Sequence, residues 1–463
     1  MDSLPPELLA RIAAFLPATA DLRALRLVNR QYAAVASRPL FGLLRFSGQR
    51  QDQPPPWNFG PVQERAVPPG VPGRTRTVEF AGIPAAVDEV LGRAPARRAR
   101  TFVFDPAYYR EGFWPDYLMQ LENEMHEPVD EVQFDSDDPD EDDWEAAINR
   151  VLEHRRARPE REAAVVGAAQ ATWNEKAAEQ RLNEDAVVEA LARLFRAMTT
   201  LDEIDVRPWS FDGCRLYPEL ETCISYAIDA QRRGSFPSTF FLEVLARALH
   251  EAGRHVKRLS VSEFFADHLH DTPATRHAST GLQRISLTML HVEFMADEAP
   301  RFDVLVELFR RAQPTLRRLS IVAGGKWPQL PARGGHSLLK MLGEGDDETP
   351  LVFPRLEFIH LEGLILSSPP LMRFLRAQPG LESLEFRHIY LCTPDAGWPV
   401  LVEAFPPSLK NWKSMGPLGH EPINADGPTA YNWMTTWTPR ELPLSSGWKA
   451  AWRNPETRFT RVS

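Results

Sequence analysis

The sequence predicts an α/β chain: a short N-terminal bundle of three helices, then an irregular solenoid of alternating helices and strands, interrupted by a helical insertion. Three observations carry this. Apolar residues recur at helical spacing through the first forty-odd residues, between prolines that mark helix ends. Beyond them a short pattern keeps returning: apolar, two variable residues, apolar, one variable, apolar. Between Asp143 and Thr200 that pattern is missing, and Ala, Glu and Arg, strong helix formers, take over.

The N-terminal module spans 1–46. Leu8, Ile12, Phe15 and Leu16 share a helical face that Leu9 widens, Ser3 stands as a cap, and Pro5 and Pro6 occupy a first turn that tolerates missing N–H groups. Pro17 stops this helix. Leu22, Leu25 and Val28 mark a second, and a third runs from Asn29 to Ser37 before Pro39. Three helices this short have little core of their own, which points to docking on a partner or to a helical cap on the rest of the chain.

The run Leu4-Pro5, Glu7-Leu8-Leu9, Ile12, Phe15-Leu16, Asp21-Leu22 and Leu25-Arg26-Leu27-Val28-Asn29-Arg30 resembles an F-box. It departs from the family at Tyr32, where many members carry Trp or Phe, and in its Ala-rich third helix. The resemblance implies binding to the Skp-type adaptor of cullin–RING ubiquitin ligases, with the rest of the chain holding a substrate. It assigns Leu4, Pro5, Leu8, Ile12, Leu22 and Leu25 to the adaptor face and the module's own core.

Residues 47–73 form a Pro-rich linker that cannot pair in a central sheet. The body, 74–410, carries the recurring pattern at Ala99–Phe102–Phe104, Val129–Val132–Phe134, Leu201–Ile204–Val206, Val256–Leu259–Val261, Leu282–Ile285–Leu287, Leu316–Leu319–Ile321, Leu356–Ile359–Leu361 and Leu381–Leu384–Phe386. Fainter copies sit at Phe41–Leu44–Phe46 and near Val78 and Phe80. Helical segments precede several copies: Ala186–Met198, Phe240–Leu249, Phe302–Arg311 and Leu371–Arg376. The Leu-x-x-Leu-x-Leu core resembles a leucine-rich repeat, although the Asn or Cys that follows it in that family is missing and the spacing is irregular. A single α/β domain with crossover helices satisfies the same periodicity.

The insertion, 135–200, opens with the acidic run Asp135–Asp143, read as solvated loop, and continues as one or two exposed helices broken near Pro159. The last segment, 411–463, is Trp-rich. Trp433 and Trp437, and Trp448 and Trp452, stand four apart, which on a helix places each pair on one face. A cap closing the open end of the array needs such a face; an aromatic ligand pocket is the alternative.

The net charge of −10 argues against nucleic acid as the main partner. No apolar run reaches the ~18 residues of a membrane span, and the N-terminus lacks a signal-peptide layout, so the expected location is cytoplasmic, nuclear or both. Cys214, Cys223 and Cys392 form no metal-ligand spacing and fit a reducing compartment. His250-Glu251 and His255 fail as a zinc motif, because histidines five apart lie about 140° from each other on a helix. Asp138, Asp140 and Asp142 lack the Gly and bidentate Glu of a calcium loop. Gly324-Gly325-Lys326 is followed by Trp327 rather than Ser or Thr. No cofactor, metal or catalytic set is expected.

Side chains alternate along a strand, so the residues between the apolar positions face solvent. The five clearest copies then give three columns: Arg258, Arg284, Arg318, Phe358, Ser383; Ser260, Ser286, Ser320, His360, Glu385; and Ser262, Thr288, Val322, Glu362, Arg387. Stacked arginines repel one another, which an acidic or phosphorylated peptide offsets, as do neighbouring acids such as Glu263 or Asp303 or plain hydration. The expected substrate-binding residues are Arg258, Arg284, Arg318, Ser260, Ser286 and His360. The sequence therefore reads as a non-catalytic substrate receptor of a Skp–cullin–F-box type ligase, or as a scaffold using the same surfaces without a ligase.

Overall fold

The computed structural model describes residues 43–47, 74–92, 98–109, 114, 118, 141–207, 237–262, 264, 269–288, 303–322, 349–362, 364–366, 368–387, 389–391, 398–403, 405–415, 418–420, 435–437, 448–453 and 456–461. The N-terminal helical module with Leu4, Pro5, Leu8, Ile12, Leu22 and Leu25, the Pro-rich linker and the copy at Val129–Phe134 lie outside them.

The chain is mixed α/β, in the order β1 (Leu43–Ser47), β2 (Arg74–Thr77), α1 (Ile83–Leu91), β3 (Thr101–Asp105), α2 (Glu141–Ala197), β4 (Glu203–Val206), α3 (Pro237–Ala252), β5 (Arg258–Ser262), α4 (Pro273–Ala278), β6 (Arg284–Thr288), α5 (Asp303–Ala312), β7 (Arg318–Val322), β8 (Phe358–Glu362), β9 (Ile365–Leu366), α6 (Ser368–Arg376), β10 (Ser383–Arg387), β11 (Tyr390–Leu391), α7 (Trp398–Glu403), β12 (Asn411–Met415), β13 (Leu418–His420), β14 (Thr435–Trp437), β15 (Trp448–Arg453) and β16 (Glu456–Arg461). Nine parallel pairings among the described residues join β2, β1, β3, β4, β5, β6, β7, β8, β10 and β12, in that spatial order, into one sheet. Strands β16 and β15 add antiparallel at the β12 end. From β3 to β12 the strands of this sheet follow one another in space in sequence order, as in an α/β solenoid. The short strands β9, β11 and β13 pair parallel in a second sheet, with β14 antiparallel at its edge.

Among the described residues, the copies of the apolar pattern bury their side chains in three rows. The position two before the strand supplies Ala99, Leu201, Val256, Leu282, Leu316, Leu356, Leu381 and Leu409. The first inward strand position supplies Phe102, Ile204, Leu259, Ile285, Leu319, Ile359, Leu384 and Trp412, all buried, each opposite the next in register. A further inward row runs through Phe104, Val206, Val261, Ile321, Leu361 and Phe386. At about 1.5–3 kcal/mol for each large apolar side chain, these rows are the main cohesive term.

The residue immediately before each strand does a second job. The carbonyl of Arg100 accepts from the amides of Asp202 and Glu203; the same fork repeats from Asp202 to Lys257 and Arg258, and onward through Lys257, Gln283, Arg317, Glu357 and Glu382 to Lys410 and Asn411, all at 2.7–3.2 Å. Side chains at this position reinforce it: Asp202 bonds Arg100 at 2.5 Å and Lys257 at 3.1 Å, Glu357 meets Arg317 at 3.3 Å, and Glu382 meets Lys410 at 2.7 Å. Burial works against ionisation of Asp202, but the bonds from Arg100 and Lys257 outweigh it and hold its carboxyl below the ordinary range.

Helices fill the connections. Helix α1 buries Ile83, Val87 and Val90 at helical spacing, with a Pro in its first turn. Helix α3 buries Phe241, Val244, Leu245, Ala248 and Leu249 and ends at Gly253, whose φ of +62° suits glycine. Helix α4 opens on a Thr272–Thr275 capping box. Successive helices from α1 to α5 touch their neighbours. Buried amides tie copies together: Gln378 accepts from the Phe353 amide and donates to the carbonyls of Leu351 and Phe374 at 2.8–2.9 Å, and Gln180 makes the paired bonds to the Tyr109 amide and carbonyl.

The structure corrects four expectations. Helix α2 runs unbroken through Pro159 for 57 residues, about 85 Å; one proline removes one backbone bond, which a long run of strong helix formers carries as a local perturbation. Its last turns are no exposed insertion, because Val187, Val188, Leu191, Leu194, Phe195 and Met198 are buried in the main core. The boundary of the module at residue 46 moves back, because residues 43–46 belong to β1 with Leu44 and Phe46 buried, in line with the fainter copy of the strand pattern at Phe41–Leu44–Phe46. The Trp448–Trp452 pair is not helical but lies in β15; Trp437 ends β14, Trp412 is an inward rung of β12, and Trp433 lies outside the described residues. A spacing of four fits both a helix of period 3.6 and a strand of period 2, so it does not discriminate.

Two substitutions test this account by chemical denaturation. Gln378→Ala takes the bond from the buried Phe353 amide and from the half-buried Leu351 carbonyl, while the Phe374 carbonyl keeps the Ala377 amide, and stability falls by about 2 kcal/mol. Ser414, fully buried on an inward position of β12 with no partner for its hydroxyl, gives the opposite sign: Ser414→Ala raises stability by about 1 kcal/mol.

Candidate functional site

The solvent-facing positions of the parallel sheet form columns because the register is continuous. Arg258 lies opposite Arg284, Arg284 opposite Arg318, and Arg318 opposite Phe358; Ser260, Ser286, Ser320 and His360 form the adjoining column. All six residues expected to bind substrate thus fall on four adjacent strands, β5 to β8. The three arginines stand on strands roughly 4.8 Å apart, an arrangement that repels unless something offsets it.

Two groups do so. Glu203 on β4, opposite Arg258, accepts an ion pair from it at 3.1 Å. At the other end, the Arg318 guanidinium lies over the Phe358 ring, 4.9 Å from its centroid, a cation–π contact that orders the charge without neutralising it. Glu263 lies outside the described residues. The Leu201–Ile204–Val206 copy places Glu203 in the arginine column by the same offset, one strand before the five clearest copies. Phe358 stood in its column, and its aromatic character was the signal.

The flanks of this strip are internally matched. Toward the N-terminal strands, Arg207 pairs with Asp205 at 2.7 Å, and Arg45 pairs at 2.7 Å with Asp105, which is fully buried. Toward the C-terminal strands, Ser320 Oγ and His360 Nδ1 share a hydrogen bond of 2.9 Å, His360 Nε2 stands 3.3 Å from Glu362, and Arg387 bonds Glu385 at 2.6 Å and lies 3.9 Å from Glu362. A serine, histidine and glutamate in contact invite a nucleophile reading. Acyl transfer also needs N–H donors aimed at a developing oxyanion. Strand β7 sits between β6 and β8, where its amides serve the sheet. The arrangement orients His360 between Ser320 and Glu362.

The failed zinc motif has a different structural outcome. Residue His277 on α4 brings His250 and His255 together: its ring centroid is 5.1 Å from that of His250 and 4.2 Å from that of His255. The His277 Nε2 bonds the Arg254 carbonyl at 3.0 Å. Burial pushes His277 below the ordinary histidine range, the bond to Arg254 acts the other way, and the positive fields of His255 and His250 add to the lowering. Among the described residues, no three His, Cys, Asp or Glu side chains are arranged to hold a metal ion, and no helix is long and apolar enough to cross a membrane.

Residues 1–41 match the F-box-like family model. No curated protein matches the chain in sequence. An F-box-like segment implies an adaptor-binding role for the N-terminus, and such segments typically belong to non-catalytic subunits. The match ends just before β1, so the chain passes from it directly into the sheet.

The histidine cluster sets a pH dependence. The fold favours neutral His277 while the unfolded chain protonates in the ordinary range, so stability present near pH 7 is lost as pH falls through that range toward the folded value. The denaturant midpoint drops between about pH 7.5 and 5.5, and His277→Gln, which keeps a donor for the Arg254 carbonyl, shows a smaller drop.

Proposed function

We propose that this chain is the substrate-receptor subunit of a Skp–cullin–F-box type ubiquitin ligase, working in the cytoplasm, the nucleus or both. The N-terminal helices dock on the Skp-type adaptor through Leu4, Pro5, Leu8, Ile12, Leu22 and Leu25, and through it on a cullin. The body holds a protein for modification. The observation that carries this reading is the F-box-like match over residues 1–41. The chemistry of transfer belongs to other subunits; this chain contributes proximity, which converts a bimolecular encounter into an intramolecular one.

We read the body as a degenerate leucine-rich-repeat array. Support comes from single parallel strands paired in register and from the inward burial of the described apolar residues of the Leu-x-x-Leu-x-Leu copies. In such an array the solvent-facing columns are the surface offered to a partner. The strip of Arg258, Arg284 and Arg318, beside Ser260, Ser286 and His360, is the substrate face. Its chemistry suits an acidic or phosphorylated segment, since guanidinium pairs bidentately with carboxylate and phosphate. On a chain of net charge −10, this strip is a local reversal of sign.

Two experiments test the reading. Affinity capture of the full chain retains the Skp-type adaptor and a cullin; Leu8→Asp with Ile12→Asp, or removal of residues 1–41, which spares β1, abolishes both. Capture without adaptor sinks the ligase role. Separately, replacing Arg258, Arg284 and Arg318 together by Ala weakens binding of an acidic peptide at least tenfold by fluorescence anisotropy, and flattens its salt dependence.

A further inference from the structure

The residue just ahead of each strand doubles the arginine column. Lys257 precedes Arg258, Gln283 precedes Arg284 and Arg317 precedes Arg318, so β5, β6 and β7 carry five cations in two rows at their N-terminal ends. In the same two rows the neighbouring strands carry the opposite sign. Asp202 and Glu203 stand at β4, Glu357 at β8 and Glu382 at β10. Farther out the sign returns to positive, with Arg100 beside Asp202 and Lys410 beside Glu382. Ion pairs cross both boundaries of the basic block: Lys257 meets Asp202 and Arg258 meets Glu203, each at 3.1 Å, and Arg317 meets Glu357 at 3.3 Å. The side chains of Lys257, Arg258 and Arg317 in these pairs are 57%, 41% and 53% exposed. Exposed pairs hold their members weakly, so a ligand exchanges into them at small cost. What the block offers is a net positive field confined to three strands and bounded by carboxylates on both sides.

We propose that Lys257, Arg258, Arg284, Arg317 and Arg318 together receive a short anionic cluster flanked by basic residues, on an extended partner segment that crosses β5 to β7, and that Asp202, Glu203, Glu357 and Glu382 set its length by rejecting longer polyanions. This rests on the reading of the strip as the substrate face; it adds the row ahead of the strands and a limit on the ligand's run of charge. Three strands span about 10 Å, which about three residues of extended chain cover. Negative charge beyond that length meets the bounding carboxylates, and basic flanks meet them favourably. A nucleic acid is charged at every phosphate and runs into both boundaries, so the ligand is a protein segment. Carboxylates and a phosphate monoester share the required chemistry.

The test uses the full chain and fluorescein-labelled probes read by anisotropy. Three peptides of one frame carry Lys flanks around a Glu-Glu-Glu, Gln-phosphoserine-Gln or Gln-Gln-Gln core; a fourth carries Glu flanks around the Glu core, and oligothymidylate of matching length is the nucleic-acid probe. The wild type binds one or both Lys-flanked anionic cores at least about tenfold more tightly than the Gln core, and the stronger names the anion. Exchanging the Lys flanks for Glu weakens binding about threefold although it adds negative charge. Glu203→Gln with Glu357→Gln reverses that order, a gain that misfolding does not produce. Lys257→Ala with Arg317→Ala weakens the Lys-flanked anionic peptide about fivefold at unchanged melting temperature. Three results overturn the bounded block while leaving the strip as the substrate face: tighter binding of the Glu-flanked peptide by the wild type, an unchanged order in the Glu203 and Glu357 variant, or wild-type binding by the Lys257 and Arg317 variant. Oligothymidylate bound more tightly than every peptide, the Gln core bound like the anionic cores, or wild-type binding by the triple arginine variant overturns the substrate face itself.

Discussion

The forked backbone bond between successive copies is the constraint on which the rest of the structure depends. One carbonyl, on the residue just before each strand, accepts two amides from the next copy, and the motif recurs from Arg100 to Asn411 without change of register. A slip by one residue would turn every inward side chain outward, because strand side chains alternate with period two. The alternating charges at Arg100, Asp202 and Lys257, and later at Arg317 and Glu357, disfavour a slip further, since each finds its opposite only in this register. These pairs are mostly exposed and each contributes little to stability. Their weight lies in selecting one alignment.

Everything on the solvent side follows from that alignment. Because Leu259, Ile285 and Leu319 are opposite one another inside, Arg258, Arg284 and Arg318 must be opposite one another outside. The core thus forces like charges together, and the surface answers locally with a carboxylate at one end and an aromatic ring at the other. The result is a graded strip, flanked by matched pairs at Asp205–Arg207 and Glu385–Arg387.

The connections show how much variation such an array tolerates. Copies that are close in sequence, such as those at β5 and β6, are joined by the short helix α4, while the link from β3 to β4 contains the 57-residue helix α2. Only the last turns of α2 do the work of a connecting helix, through Val187, Leu191, Leu194 and Phe195. Farther back, Trp173 meets Tyr109 and Trp114 edge-on at 5.2 and 6.2 Å, fixing the helix against the segment that follows β3. Closure at the C-terminal side is by the β15–β16 hairpin, whose antiparallel pairing takes up the edge of β12.

The amino-acid sequence by itself determined the strands β3 to β8 and β10, the spacing of their apolar residues and the membership of the arginine and serine columns. Those properties are periodic: a residue's face depends on its offset from its neighbours, and Leu282, Ile285 and Leu287 announce theirs without help. Tertiary structure alone decided what no local offset encodes. It decided that Trp448 and Trp452 lie on a strand, since a spacing of four serves helix and strand alike. It joined the end of α2 to the core, brought His277 to His255 from a different helix, and matched Arg258 with Glu203 across a gap of 55 residues in sequence. Contacts between distant segments depend on which copies end up adjacent, and adjacency is settled by the packing of the whole array rather than by any one stretch of it.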